Sequence, residues 1–213
     1  ENHVKGIDAT EAAVDMIRKE WKDNNFENEE EWVVFARSIM SEIPAFLDEN
    51  FPGWELVDAE HELNEPIPGS SRTFKGFIDL VIKVKNKKGK DEILIVDWKT
   101  SKNGWNTWKK RDQLVMMQLV LYKHFLATKL GLDLKEVKCG FILLKYEAAP
   151  GKRCEFLSVS AGPKTIEKAQ MQITRLVTNV DKKQHYKNRL NCMFCDFRNT
   201  EYCKGYVPPH VGR

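Results

Sequence analysis

The amino-acid sequence predicts an α/β sandwich in which helices flank a mixed central sheet. Three observations carry this prediction. Apolar residues recur at helical spacing through the first fifty positions, three strand-like segments follow between residues 54 and 99, and a long helical segment then precedes two more strands and a last helix. This order of elements is typical of a layered α/β architecture.

Two helices are predicted ahead of the sheet. Residues 8–23 repeat apolar side chains at helical spacing, and residues 28–49 do the same with a longer aromatic and aliphatic stripe. Pro44 lies inside the second helix, where a missing N–H is expected to kink it. The sequence Phe51-Pro52-Gly53 then breaks the helical pattern, so a new type of element begins there.

Three consecutive strands are predicted next, over residues 54–63, 74–85 and 91–99. The polar segment 86–90 contains a glycine and joins the last two strands as a hairpin loop. Residues 93–96 are continuously apolar, which is typical of a strand that is buried on both faces. We therefore expect the third strand to lie at the centre of the sheet.

The second half of the chain predicts a helix near residues 110–130, strands over 137–146 and 155–160, and a last helix over 163–181 that begins with a proline. A cysteine-rich tail follows. The chain is expected to form a single domain in three parts. These parts are N-terminal helices over 1–50, a core over 51–182, and a tail over 183–213 that packs on the core.

Charge is distributed unevenly along the 213 residues, whose formal net charge is +3. Residues 1–50 carry 13 acidic and 5 basic side chains, whereas the remainder carries 18 acidic and 29 basic ones. A basic body with an acidic N-terminal region could steer a polyanion toward one face, although two solvated surfaces explain the charges equally well. No apolar run approaches the roughly 18 residues that cross a bilayer, so no membrane partner is expected.

Charged residues interrupt two of the apolar strands. Asp79 stands in the second strand, and Asp97-Trp98-Lys99 ends the third, where alternation puts Asp97 and Lys99 on one face. A buried charge is costly, so the arrangement indicates either a structural ion pair or a divalent cation between the two aspartates. In the second case the Trp98 carbonyl could add a ligand, and the bound metal would polarise a phosphate and activate water. The Lys99 ammonium would then stabilise developing negative charge.

Three further polar residues are candidates for the same site. Glu60 lies on the preceding strand and could add a ligand or position one, or it could be an ordinary surface residue. Gln118 and Tyr122 are four residues apart and so share one face of the long helix. They are either the polar edge of an apolar stripe or groups that face the site.

In combination, these segments resemble the RecB-like branch of the PD-(D/E)XK nuclease superfamily. The order and spacing of the matching pieces both fit, and together they span about residues 60 to 123. The matching pieces are Glu60, Gly76-Phe-Ile-Asp79, Ile95-Val-Asp97-Trp-Lys99-Thr-Ser101 and Gln118-Leu-Val-Leu-Tyr122. The resemblance implies a restriction-endonuclease-like core with a mixed sheet between helices.

The resemblance also implies a phosphodiesterase that depends on Mg²⁺ or Mn²⁺. In that family the aspartates matching Asp79 and Asp97 bind metal, and the lysine matching Lys99 serves catalysis. The family's glutamine and tyrosine shape the site and its DNA contacts. Many members add a metal-binding histidine in the first helical region, for which His3 is the candidate here.

The expected substrate is DNA that is single-stranded or has free ends, cut by an exonuclease in recombination, repair or phage DNA processing. A helicase or recombination protein is an expected partner. The two tryptophans of the loop after the third strand could stack on a splayed base or could pack over the sheet. The candidate DNA-contacting residues are Lys102, Trp105, Trp108, Lys109, Lys110 and Arg111.

Two other functions are compatible with the same residues. A DNA-binding or scaffold module could keep the nuclease fold without catalysis, but a retired site has no reason to keep its buried charges. An RNA nuclease is the other alternative, because metal and carboxylates do not distinguish the sugar.

The odd number of cysteines, five, and the lack of a recognisable secretion signal predict a reducing, cytoplasmic setting. The resemblance suggests that the cell is a bacterium or the host of a virus. Cys192, Cys195 and Cys203 are clustered, and the C-x₂-C spacing lets two thiolates bind one metal. They resemble the C-terminal cysteines that, in some RecB-like nucleases, bind an iron–sulfur cluster of four irons and four sulfurs. The fourth ligand stays open: an upstream cysteine missing from this sequence, His210 in a zinc site, or no metal at all.

Overall fold

The computed structural model describes residues 9–184, 192 and 195–203. The chain divides into two compact units, residues 1–174 and 175–213. The first unit contains the whole sheet, three complete helices and the start of a fourth. No described helix is long and apolar enough to cross a membrane.

Within the described residues, four α-helices and five strands make up the regular structure, together with two short 3₁₀ turns at Lys109–Arg111 and Leu134–Glu136. The helices are α1 (Thr10–Asn24), α2 (Glu29–Asn50), α3 (Gln113–Leu130) and α4 (Pro163–Asp181). The strands are β1 (Glu55–Pro66), β2 (Thr73–Lys85), β3 (Asp91–Ser101), β4 (Val137–Lys145) and β5 (Cys154–Ser158).

The five strands form one sheet in the order β1-β2-β3-β4-β5. Only β3 and β4 are parallel, and α3 connects them, whereas the other three neighbouring pairs are antiparallel. The prediction of a mixed sheet is therefore confirmed. It follows that β3 is the central strand, and its end is level with the end of β4, at the pair Ser101–Lys145.

The core lies on both faces of β3, as its continuous apolar run predicts. Leu94, Ile95 and Val96 are each at most 3% exposed. On one face, Leu47 of α2 belongs to a buried cluster with residues of β2, β3 and β4. On the other face, Phe125 of α3 stacks on a phenylalanine of β2 at 4.5 Å. Burial of such side chains contributes about 1.5–3 kcal/mol each and holds the helices against the sheet.

Helix α3 has well-defined ends and is buried over most of its length. The Asp112 carboxylate accepts hydrogen bonds from the backbone N–H groups of Leu114 and Val115, which caps the N-terminus. Gly131 ends the helix in the left-handed conformation. Nearly every residue from 119 to 127 is buried, so the helix has no solvent-facing side along this stretch. Helix α2, by contrast, continues across Pro44 to Asn50 without a break.

Candidate active site

Asp97 is the centre of the candidate site. Its side chain is almost completely buried, at 1% residue exposure. The Gln118 amide nitrogen donates to Oδ1 at 2.8 Å, and the Lys99 ammonium lies 2.6 Å from Oδ2. Alternation along β3 puts Asp97 and Lys99 on the same face, and that face is the one covered by α3. The structure thus brings together three residues from two separate segments of the sequence.

Asp79 reaches the same place from the neighbouring strand. The β2–β3 ladder ends at the pair Leu80–Val96, and Asp79 and Asp97 are the next residues on the two strands. The Asp79 carboxylate accepts a hydrogen bond from the backbone N–H of Trp98 at 2.7 Å. The Asp79 side chain thus takes the place of a strand carbonyl as acceptor for the Trp98 N–H, and this contact holds the carboxylate beside the end of β3.

A second layer of groups positions Gln118. Its amide nitrogen also donates to the Tyr122 hydroxyl at 3.2 Å, and Tyr122 is 6% exposed. The tyrosine ring lies against Gly76 of β2, where an added Cβ would be 2.6 Å from a ring carbon. Gly76 therefore leaves room for the ring, which gives a physical reason for the glycine three residues before Asp79.

The electrostatics of the site oppose ionisation of Asp97. Burial raises the pKa of the Asp97 carboxyl, and the negative charge of Asp79 raises it further, while the Lys99 ammonium lowers it. Burial dominates, because Lys99 is about one-third exposed and its charge is partly screened by solvent. A second positive charge between the carboxylates would offset both unfavourable contributions.

Each carboxylate has one oxygen that accepts a directed hydrogen bond from a neutral N–H donor, and the two remaining oxygens differ in their surroundings. Oδ2 of Asp97 is buried and accepts no well-directed hydrogen bond, although Lys99 pairs with it electrostatically. The second oxygen of Asp79 accepts no hydrogen bond from any described residue. Mg²⁺ typically binds one or two carboxylates and completes its shell with water and substrate phosphates, so this pair fits such an ion. No group of three or more His, Cys, Asp and Glu residues is placed to hold a metal within 9–184, 192 and 195–203.

Glu60 is level with Asp79 on the adjacent strand, since its neighbours Ala59 and His61 pair with Leu80 and Ile78. It is exposed and makes no hydrogen bond or ion pair with another described residue. Its φ of 53° is in the left-handed region, which costs a non-glycine residue about 1–2 kcal/mol. The structure therefore places Glu60 beside the site without contact to it.

Near Asp79, strand β2 changes which of its residues face α3. Simple alternation along the strand does not predict this change. Phe74 of β2 stacks on Phe125 of α3, whereas Leu80 and Ile82 pack in the cluster with Leu47 of α2. A regular strand puts residues of equal parity on one face. The reversal thus occurs between Phe74 and Leu80, and Asp79 lies on the α3 side because it alternates with Leu80 and Ile82.

The geometry agrees with what sequence and structure comparisons find. A family model of the PD-(D/E)XK nuclease superfamily matches residues 3–203. The chain belongs to this nuclease superfamily. No curated protein matches the sequence of this nuclease.

Two solved structures are similar to this nuclease. A protein from Eubacterium rectale that carries the provisional name exonuclease has 13% sequence identity and a TM-score of 0.54, over 95% of this chain and 73% of that one. The crystal structure of SSO0001 has 18% identity and a TM-score of 0.41, over 79% of this chain and 75% of that one. The likeness to the Eubacterium rectale protein, together with the family match, confirms the predicted fold.

The two tryptophans of the loop after β3 differ in their surroundings. The Trp105 ring lies 5.1 Å from that of Phe141 in the core of the nuclease, and the Lys109 ammonium lies 5.7 Å from the Trp105 ring. Trp108 is 85% exposed. Trp105 thus packs over the sheet, which was one of the two alternatives, and Trp108 is available for stacking on a base.

The basic residues of this loop are not equally available to a phosphate. Lys102 forms an ion pair with Glu147, and Lys110 forms one with Glu155, both at 2.9 Å. Lys109 and Arg111 are both exposed, and Arg111 has no ion pair with any described residue. A phosphate bound here has to compete with glutamates for two of the four cations.

The predicted metal-binding cysteines lie in the second unit of the nuclease. Cys192, Cys195 and Cys203 are free thiols, and the backbone N–H of Cys195 donates to the carbonyl of Cys192 at 3.4 Å. They are not arranged as a metal site with other described residues. His210 and His3 lie outside the described residues, so these ligand sets stay predictions.

Proposed function

We propose that this nuclease hydrolyses phosphodiester bonds of DNA with Mg²⁺ or Mn²⁺ and that Asp79, Asp97 and Lys99 carry the reaction. One observation supports the proposal above all. Two carboxylates from adjacent strands lie at the end of β3, and the Lys99 ammonium pairs with the Asp97 oxygen that Gln118 does not hold, at 2.6 Å. A purely structural ion pair would not need the second carboxylate in the same place.

A divalent cation bound between Asp79 and Asp97 would supply charge stabilisation at the phosphate and a water of lowered pKa. The protein supplies the positioning. The Trp98 N–H and the Gln118 amide fix the two carboxylates, so that little reorganisation is needed when substrate binds. The Trp98 carbonyl and His3 are proposed as additional ligands.

Lys99 is the residue that acts directly on the reacting groups. Its ammonium is about one-third exposed, so a phosphate oxygen or the attacking water can reach it while it stays paired with Asp97. Water attacks phosphorus in line with the leaving oxygen, and the P–O bond to that oxygen breaks. The Lys99 charge stabilises the negative charge that develops on the phosphate oxygens during this step. Gln118 and Tyr122 act as positioning residues, and Glu60 is proposed to assist from β1.

The finer features of the proposal rest on resemblance and on the loop after β3. The residues that match the RecB-like branch support the proposals of membership in that branch, a role in recombination, repair or phage DNA processing, and a helicase partner. The proposed cytoplasmic location rests on the odd number of cysteines. The provisional name of the Eubacterium rectale protein favours an exonuclease. The exposed ring of Trp108 and the basic side chains near it would hold a single strand without reading its sequence.

The decisive experiment uses end-labelled linear DNA, closed circular DNA and RNA of equal length, each with Mg²⁺, Mn²⁺ or a chelator. We expect cleavage of linear DNA that requires metal. Asp97→Asn and Lys99→Ala should each lower kcat about 10²- to 10³-fold, because each removes a group that stabilises transition-state charge. Lys87→Ala is the matched control, since Lys87 is exposed on the β2–β3 turn and has no partner among the described residues.

Three results would contradict the proposal in different ways. Binding of DNA without cleavage under any metal would favour a scaffold protein. Faster cleavage of RNA than of DNA would show that RNA is the substrate. Full activity of Asp97→Asn would show that Asp97 does not take part in catalysis.

A further inference from the structure

Lys123 of α3 is buried and has no counterion in the part of the chain that the structure describes. It is 7% exposed, and Asp97 is the only other charged side chain that is buried within the described part of the chain. Lys123 makes no hydrogen bond or ion pair with another described residue, and burial lowers the pKa of its ammonium group. An unpaired charge in such a position destabilises the folded state. The proposed nuclease mechanism does not use this amine, so it needs another explanation.

The Lys123 side chain lines a cavity of about 530 Å³ that is separate from the catalytic groups. The cavity meets the sheet at the start of β4, at Lys138 and Cys139, whereas Asp97 and Lys99 lie beside Phe141 and Leu143 further along that strand. Ser158, Ser160, Gly162 and Pro163 from the segment that leads into α4 also line it. A volume of this size suits a small molecule rather than a single water.

Three lysines and one aspartate line the cavity, and Lys138 is paired with Glu92 at 3.7 Å. Lys135 and Lys138 line it together with Lys123. The Asp133 carboxylate, which also lines it, accepts a hydrogen bond from the backbone N–H of Lys135 at 2.9 Å. Burial raises the pKa of the Cys139 thiol to about 11, so this group is neutral near pH 7 and provides no thiolate for the amine.

The backbone adds hydrogen-bond donors to the same wall. The N–H groups of Ala161 and Gly162 donate to no acceptor among the described residues. They directly precede α4, whose N-terminal end carries partial positive charge. Free N–H groups at the start of a helix are a common binding place for phosphate groups. Here the buried amine of Lys123 provides an independent observation that an anion belongs in the cavity.

We propose that this cavity binds a small phosphorylated molecule whose phosphate pairs with Lys123. A phosphate dianion fits the observations, since it combines two negative charges with several acceptor oxygens for the ammonium and the backbone donors. The volume left beyond the phosphate suits the rest of a nucleotide. Inorganic phosphate shares the recognised group, so the test compares the two ligands.

Thermal unfolding of the full chain tests the proposal, with a chelator present and ionic strength held constant with chloride. The ligands are inorganic phosphate and a deoxynucleoside monophosphate. At about 100 times Kd, a ligand should raise Tm by roughly 5–10 °C. Lys123→Met should abolish the rise, and Lys129→Met should keep it, because Lys129 is exposed on the same helix. A larger effect of the nucleotide would identify it as the ligand, whereas equal effects would identify phosphate alone.

Two further measurements keep the test independent of the proposed catalysis and of variant folding. Lys99→Ala should keep the rise, since phosphate bound at the catalytic groups would lose it in this variant. Lysine modification of the unaltered chain, read by mass spectrometry, should show ligand protection of Lys123 and none of Lys129. An unchanged Tm with both ligands, an equal rise in Lys123→Met, or absence of protection at Lys123 would each overturn the proposal.

Discussion

Replacement of Gly76 by alanine tests the link between the hairpin and the catalytic groups. The new Cβ would be 2.6 Å from a ring carbon of Tyr122 and 3.2 Å from its hydroxyl oxygen. Normal van der Waals contact needs about 3.4 Å or more, so the ring has to move by roughly 0.8 Å. The hydroxyl of that ring accepts the hydrogen bond from Gln118, and Gln118 holds Asp97. The displacement is therefore passed on to the carboxylate.

The expected cost is visible in both activity and stability. A misplacement of about 1 Å at a catalytic group can lower the rate about 10²-fold, and we expect a drop in kcat of this order with KM little changed. Overpacking of this kind typically costs about 1–3 kcal/mol in the free energy of unfolding. The measurements are initial cleavage rates on end-labelled DNA, DNA binding, and thermal unfolding. Gly162→Ala is the control for stability, since an added Cβ meets nothing there within 4 Å.

A double-mutant cycle separates transmission through the ring from general damage. In a Tyr122→Ala background the clash is gone, so Gly76→Ala should have no further effect on kcat. The reasoning is refuted if Gly76→Ala keeps the wild-type kcat in a folded protein. It is equally refuted if the two substitutions lower kcat independently.

The remaining predictions concern other parts of the chain. Trp108→Ala should weaken single-strand binding by about 1–3 kcal/mol without change in Tm, whereas Trp105→Ala should lower Tm, as seen by titration and melting. Without phosphate, Lys123 should make the free energy of unfolding rise with pH below 10.5, because burial lowers the pKa of its ammonium group. A Lys123→Met variant should lose this contribution in denaturant titrations. If an iron–sulfur cluster binds the tail, Cys203→Ser should abolish its visible absorbance, and Cys154→Ser should not.

Much of the fold could be read from local patterns. The predicted strand 74–85 and the observed β2 differ by one residue at one end, and the predicted helix 163–181 coincides with α4. Local signals determine these bounds: a polar turn that contains Gly89 follows β2, and Pro163 begins α4. No knowledge of distant contacts is needed to predict them. The 3₁₀ turn before α3 was missed, because its sequence, Lys-Lys-Arg, has no pattern of its own.

The candidate site was predictable in its members but not in its detailed contacts. Alternation along β3 predicts that Asp97 and Lys99 share a face, and the order of the matching segments predicts that Asp79 and Gln118 approach them. Which oxygen each donor holds depends on the packing of α3 and β2, which are far apart in sequence. The roles of these residues stay predictions until cleavage is measured.

Two features had no clear signal in the sequence. Glu60 reads as an ordinary strand residue, and its left-handed backbone arises where the hairpin reverses its faces. Lys123 follows Tyr122 in a helix that has no polar side, so periodicity could not assign it to the surface or the interior. Only the packing of α3 against β4 and the start of α4 buries it.

The sequence by itself determined the order of helices and strands, the central position of β3, and the polar residues that interrupt its apolar pattern. These properties follow from side-chain periodicity and turn chemistry, which act over a few residues. The tertiary structure decided which donor holds each carboxylate oxygen, which tryptophan is exposed, and where a lysine is buried without a counterion among the described residues. Those properties depend on distances and burial, which arise only when segments distant in the chain pack together.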